Sequence, residues 1–291
     1  MNIQGVLVPI VTPFTADDRV NADALRQLVE RFVEAGVAGI VACGTTGEYY
    51  ALDDEERELV LRTVVETTKG RVTAIAGINA LSTPESIQHA RRAQALGYDG
   101  LMLATPPYSL PEQAGILAHF RTVAAATPLP IILYDFPQRV GVQIAVETVV
   151  ELAKIPNIVG IKESSGNFNR ALHLIQARIP DFQIISGSDD MAADFLFWGV
   201  RCWISGGANV FPGEQARMVK AAADGRWDEV RSLMNGMYPV IQAMESGDYN
   251  QKAKLGCRRH GVEAGTVRLP LAPLSDEAAQ EFLAMLDAYQ A

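Results

Sequence analysis

Eight short apolar runs, each followed by a stretch of helical periodicity, constrain this chain more than any other feature. They are GVLVPIV (5–11), GIVAC (39–43), RVTAIAG (71–77), GLMLAT (100–105), PIILYDF (130–136), NIVGIK (157–162), FQIISG (182–187) and VRCWISG (200–206). The runs are apolar throughout rather than alternating, as parallel strands buried on both faces require. Between them, Leu25, Leu28, Val29, Phe32 and Val33 repeat at helical spacing, and so do Ile116, Leu117, Phe120 and Val123. Gly36, Gly70, Gly97 and Gly199 stand where helices should stop. An open doubly wound sheet is the main rival architecture, but eight regular units in about 225 residues favour closure into a (β/α)8 TIM barrel, a fold of typically ~250 residues. After residue 225 the strand signal ends. Stretches 226–246, 249–260 and 275–290 read as helices, separated by Gly247 and the Pro270/Pro273 turn. The expected organisation is an α/β barrel over 1–225 and a C-terminal helical extension over 226–291, packed on it.

Composition removes several classes of function. With 48% apolar residues in 291, the chain can bury one large core. A net charge of −9 with no basic run argues against a nucleic-acid partner. The apolar runs fall far short of the ~20 residues that cross a bilayer. The N-terminus MNIQGVLVPIVTPF has no positive region and no cleavage signature, and Cys43, Cys202 and Cys257 are too few for a disulfide framework. A cytoplasmic location is expected. His89, His119, His173 and His260 show no metal-ligand spacing, so no metal site is expected. Walker A, GxSxG and GxGxxG patterns are absent.

Active sites of such barrels lie at the C-terminal ends of the strands. There the chain delivers Gly44-Thr45-Thr46-Gly47-Glu48 after the second run, Tyr108 after the fourth, Tyr134 and Arg139 after the fifth, Lys162 and Ser164 after the sixth, and Gly187 after the seventh. Lys162 directly ends a buried strand. Lys69 and Lys154 sit at helix ends, and Lys220, Lys252 and Lys254 on helices. Desolvation lowers a lysine pKa, and a neutral amine attacks carbonyl groups to form a Schiff base. The bland alternative is a structural lysine paired with Glu163 or a strand-7 aspartate. The GTTGE turn can form an anion-binding nest suited to a carboxylate, or be a plain βα turn. Tyr134 suits proton transfer, or is an aromatic core residue. Arg139 suits a substrate carboxylate, or is a surface arginine.

Together these residues resemble the dihydrodipicolinate synthase/N-acetylneuraminate lyase family of Schiff-base-forming lyases. The likeness runs from Val11-Thr12-Pro13-Phe14 through GTTGE (44–48), TPPY (105–108), LYDFPQRVG (133–141), GIKESSGN (160–167) and SGSDD (186–190) to the C-terminal helices. The resemblance implies that Lys162 forms an imine with pyruvate or another 2-oxo acid, whose carboxylate Thr45 and Thr46 hold. It implies that Thr45, Tyr134 and Tyr108 relay protons, with Tyr108 entering a neighbouring subunit's site, and that Arg139 binds the second substrate. Gly44, Ser164 and Gly187 complete the expected substrate-binding set. It further implies a homotetramer built as a dimer of dimers, with no metal or separate cofactor. The sequence departs from the biosynthetic synthase pattern at Tyr49-Tyr50, Pro107-Tyr108, Asp135 and Gly206-Gly207. The first two departures argue against feedback by lysine. The Tyr49-Tyr50 and Gly-Gly pairs look more like catabolic members that cleave or dehydrate 2-keto-3-deoxy acids, which is the reaction expected here. The alternatives are 4-hydroxy-tetrahydrodipicolinate synthase, joining pyruvate to aspartate semialdehyde, and an inactive barrel serving as a binding module.

Overall fold

A computed structural model describes residues 2–289. Its strands are β1 (Gly5–Pro9), β2 (Gly39–Ala42), β3 (Thr73–Gly77), β4 (Gly100–Ala104), β5 (Ile131–Asp135), β6 (Ile158–Glu163), β7 (Gln183–Ser186) and β8 (Cys202–Ile204). They pair in parallel in sequence order and close into a barrel through β1 and β8. The doubly wound alternative is therefore ruled out. Around and after them run α1 (Ala22–Glu34), α2 (Asp54–Thr68), α3 (Thr83–Leu96), α4 (Gln113–Ala125), α5 (Pro137–Val140), α6 (Val146–Leu152), α7 (Phe168–Gln176), α8 (Ala192–Phe197), α9 (Pro212–Ala223), α10 (Trp227–Glu245), α11 (Tyr249–Gly256) and α12 (Asp276–Ala288).

The two burial layers explain the apolar runs. Leu7, Val41, Ile75, Met102, Ile132, Ile185 and Ile204 share one cluster that fills the barrel interior. Their neighbours Val6, Val8, Ile40, Ala42, Leu101, Leu103 and Leu133 belong to the larger cluster shared with the helices. Each strand thus buries both faces. Local signals set the helix ends. Asp53 and Glu56 form a reciprocal capping box on α2. Gly97 follows α3 with φ 85°, a left-handed conformation that glycine adopts without steric cost.

Several expected boundaries move. The first run leaves the sheet after Pro9, where the Val11 N–H donates to the Asn209 side chain instead of a strand. Strand β6 runs one residue past Lys162. The Pro137–Gly141 segment after β5 is the single-turn helix α5, started by Pro137 and closed by Gly141 in the left-handed region. In the C-terminal part, residues 257–260 form a 3₁₀ turn rather than a continuation of α11. The expected end of the last helix at residue 290 lies outside the described residues. Helix α10 packs on α9, and α12 on both α10 and α11. Helix α11 contacts the 3₁₀ turn Gly206–Asn209 that follows β8, at the barrel mouth. Among the described residues, no helix is long and apolar enough to cross a membrane.

Candidate active site

A cavity of about 360 Å³ opens at the C-terminal ends of the strands. That is within the usual range for a small-molecule site. Lys162 and Tyr134 line it side by side, because they are register partners on β6 and β5 and so point to the same face. Both are buried, at 5% and 4% exposure. The Lys162 ammonium stands 4.3 Å from the centre of the Tyr134 ring. Burial lowers the Lys162 pKa to about 8, against an upward pull from Asp189 and Glu245. Burial pushes the Tyr134 hydroxyl upward, while Thr45 and Arg139 pull it down. At neutral pH Tyr134 is therefore a protonated phenol, able to donate.

Two carboxylates that a structural lysine could pair with, Glu163 and Asp189, are committed elsewhere. Glu163, the next residue on β6, points to the opposite face. There it accepts from Arg170 at 3.0 Å and from the Ser165 N–H. Arg170 also pairs with Asp135 at 3.0 Å, one residue beyond Tyr134. Burial raises the Asp135 carboxyl to about 6, with Arg170 opposing. Asp189 accepts from Trp203 Nε1 at 3.0 Å, from the Gly207 N–H at 2.8 Å and from the Tyr249 hydroxyl. Among the described residues, no carboxylate pairs directly with Lys162.

The remaining expected residues divide. Thr45, Thr46, Arg139, Ser164 and Gly187 line the same cavity. Ser164 Oγ is buried without a hydrogen-bond partner, an orphan hydroxyl in a cavity wall. Gly187 packs against it so closely that a Cβ there would lie 2.0 Å from Ser164 Oγ and 2.8 Å from Lys162 Cγ. Glycine is obligatory at that position. Arg139 reaches the cavity from α5, its guanidinium 5.9 Å from the Phe136 ring centre. Two residues fall outside the wall. Gly44 is buried behind the turn, where its carbonyl accepts from the Tyr49 N–H. Tyr108 is 94% exposed and makes no part of this cavity.

The C-terminal helices supply what sequence reasoning missed. Met244, Glu245, Asp248, Tyr249 and Asn250 complete the cavity from the α10–α11 junction. Burial, reinforced by Asp189 and Asp190, raises the Glu245 carboxyl above the ordinary range. The one sequence signal was Gly206. A Cβ at that position would meet the Tyr249 hydroxyl at 2.5 Å, so the glycine marks where a bulky neighbour closes on the strand end. Lys254, set aside as a helical lysine, is a second buried lysine, paired with Glu48 of the GTTGE turn at 2.6 Å. No group of three His, Cys, Asp or Glu side chains among the described residues is placed to hold a metal ion.

Comparison with known proteins places the chain in a family. The model of the dihydrodipicolinate synthetase family matches residues 2–289. A 4-hydroxy-tetrahydrodipicolinate synthase from Methanosarcina barkeri is 39% identical over 279 residues, covering 96% of this chain and 95% of that protein. One from Alcanivorax borkumensis is 41% identical over 276 residues, covering 95% and 94%. Among solved structures, the dihydrodipicolinate synthase of Acinetobacter baumannii, crystallised with pyruvate, superimposes with a TM-score of 0.95 at 35% identity, covering 98% of each chain. The chain belongs to the dihydrodipicolinate synthetase family, whose lyases work through a lysine imine.

Proposed function

We propose that the protein is a 4-hydroxy-tetrahydrodipicolinate synthase, joining pyruvate to aspartate semialdehyde. The observation that carries the imine half of this reading is the unpaired Lys162 amine beside Tyr134, in a pocket shared with Thr45, Thr46 and Arg139. The choice of second substrate is supported by the curated relatives, named for that activity at 37–41% identity. It replaces the sequence-based preference for a 2-keto-3-deoxy acid aldolase or dehydratase. That preference rested on Tyr49-Tyr50 and Gly206-Gly207, of which Gly206 lines the cavity.

The steps follow from the groups present. The neutral Lys162 amine attacks C2 of pyruvate, and the resulting carbinolamine loses water, with Tyr134 delivering the proton that the leaving oxygen needs. The protonated imine withdraws electrons, so the Tyr134 phenolate left by that delivery takes a C3 proton and a neutral enamine forms. The enamine carbon then attacks the aldehyde carbon, whose oxygen takes the Tyr134 proton as the C–C bond forms; the semialdehyde's amino group next attacks C2 of the protonated imine and hands a proton back to Tyr134, and the C2–N bond to Lys162 breaks, releasing the cyclic product and the free amine. Thr45 and Thr46 hold the pyruvate carboxylate, the Ser164 hydroxyl and the space beside Gly187 accommodate it, and Arg139 holds the carboxylate of the semialdehyde. No separate cofactor enters any step.

Tyr108 belongs to this reading through a second subunit. Its exposure, with Leu81 at 68% and Leu110 at 55%, suits a residue that becomes covered in a homotetramer and completes a neighbour's proton relay. Light scattering at assay concentration is expected to show the tetramer. A monomer with full activity would remove Tyr108 from the mechanism. The carboxyl groups of Asp190 and Glu245 on the wall favour the second reading, since they can accept hydrogen bonds from sugar-acid hydroxyls. Turnover assays separate the two. Pyruvate with aspartate semialdehyde is expected to turn over, and pyruvate release from 2-keto-3-deoxy acids without semialdehyde turnover would contradict the proposal.

A further inference from the structure

The turn that carries Thr45 and Thr46 is bracketed by two non-glycine residues in the left-handed region, Cys43 at φ 54° and Glu48 at φ 52°. Residues of that kind persist there only where the surroundings hold them. The fit around the turn is close. A Cβ on Gly77 would lie 2.3 Å from the Cys43 carbonyl oxygen, and one on Gly47 would lie 2.9 Å from the Ile10 carbonyl oxygen. Thr12 Oγ1 donates to the Gly47 carbonyl at 2.7 Å, a hold that comes from β1's end of the barrel.

The other holds come from far along the chain. Asn250 Nδ2 donates to the Thr45 carbonyl at 3.2 Å. Lys254, one helical turn further on the same face of α11, pairs with Glu48 Oε1 at 2.6 Å. The Arg268 N–H donates to Glu48 Oε2 at 2.9 Å. Lys254 is fixed in turn by the Thr266 carbonyl at 2.7 Å and the Phe14 ring at 3.9 Å. Both partners of the ion pair are buried, Lys254 at 2% and Glu48 at 0% exposure. A surface ion pair would constrain little, but a buried one fixes the position of whatever carries it.

We infer that α11 sets the affinity for the 2-oxo acid: Lys254 and Asn250 are positioning residues that hold the Cys43–Glu48 turn in the shape that presents Thr45 and Thr46 to the substrate carboxylate. Neither residue reacts. Lys254 does not line the cavity, and Asn250, at its wall, holds the turn through the Thr45 backbone carbonyl. The inference rests on the reading that pyruvate condenses with Lys162, and its test separates the two.

The readout is the pyruvate concentration that half-saturates borohydride trapping on Lys162, measured with the thermal midpoint for the native protein, Lys254→Met, Glu48→Gln/Lys254→Met and Asn250→Ala. Lys254→Met strands a buried carboxylate and is expected to lower the midpoint. The double variant neutralises that carboxylate and recovers the midpoint. In both, the half-saturating concentration is expected to rise about 10-fold or more, because a displaced contact loses much of its binding. The adduct yield at saturating pyruvate should stay as in the native protein. Asn250→Ala, which leaves no charge behind, is expected to raise the concentration roughly 3- to 10-fold through loss of its hydrogen bonds to the Thr45 carbonyl and the Tyr50 hydroxyl. If the double variant recovered the midpoint and the native pyruvate dependence together, Lys254 would be a stability residue and the inference would fail. A native concentration dependence in all variants would overturn the inference alone. Absence of any adduct on the native protein would overturn the pyruvate reading, and the inference with it.

Discussion

Lys162 and Lys254 are both buried, and burial brings both to about 8, yet only one is placed to react. Lys254 has Glu48 at 2.6 Å, a carbonyl at 2.7 Å and an aromatic face at 3.9 Å, so its ammonium is satisfied on every side. Lys162 has an aromatic face at 4.3 Å, no direct carboxylate and an open cavity. A depressed pKa therefore does not identify a nucleophile. What distinguishes Lys162 is a missing partner together with room for a substrate carbonyl. Lys254 spends the same residue type on holding a turn.

The sharpest way to break this contrast is to remove each amine in turn. Lys162→Met is expected to lower turnover by at least about 10⁴-fold, since covalent catalysis is lost outright. The thermal midpoint should hold or rise, because an ammonium desolvated without a partner disappears. A variant that kept a tenth of the native rate would make Lys162 structural. Tyr134→Phe is expected to cost roughly 10²- to 10⁴-fold in turnover, the usual range for a proton-transfer group. Its trapped adduct should still map to Lys162, and unchanged turnover would take Tyr134 out of the relay. Lys254→Met is expected to destabilise the fold by about 3–5 kcal/mol in denaturant titration, the cost of stranding the Glu48 carboxylate. An unchanged midpoint would mean the pair is not buried in solution.

The smallest effect concerns pH. The reactive form of Lys162 is the neutral amine, which gains population as pH rises toward its folded value of about 8. Trapping at limiting pyruvate should therefore climb about tenfold per pH unit below that value and level off above it. A rate still climbing from pH 9 to pH 10 would assign Lys162 an ordinary ammonium and erase the effect of burial.

How much of this was legible depended on where each contact comes from. The barrel was legible because every strand is apolar on both faces, inward through residues such as Leu7 and Val41 and outward through Val6 and Ile40. The strand-end residues followed from it: Lys162 and Tyr134 are register partners, so placing the strands places the pair. The α11 contribution was hidden. Asn250 meets Thr45 across 205 residues of sequence, and no local pattern encodes such a contact. Lys254 looked solvated because a lysine on an amphipathic helix usually is, and its partner Glu48 read only as the end of a turn motif. Arg139 sits on a helix that was not legible, since one helical turn between Pro137 and Gly141 is too short to show periodicity. The second substrate was the least legible, since specificity is a matter of pocket shape rather than of residue type.

The most direct test of the contrast between the two lysines is to trap the imine and locate it. The protein is incubated with pyruvate, reduced with borohydride, digested and mapped by mass spectrometry. The account predicts an adduct on Lys162, with Lys254 unmodified in the same digest. An adduct on Lys254, or none on Lys162, would contradict it.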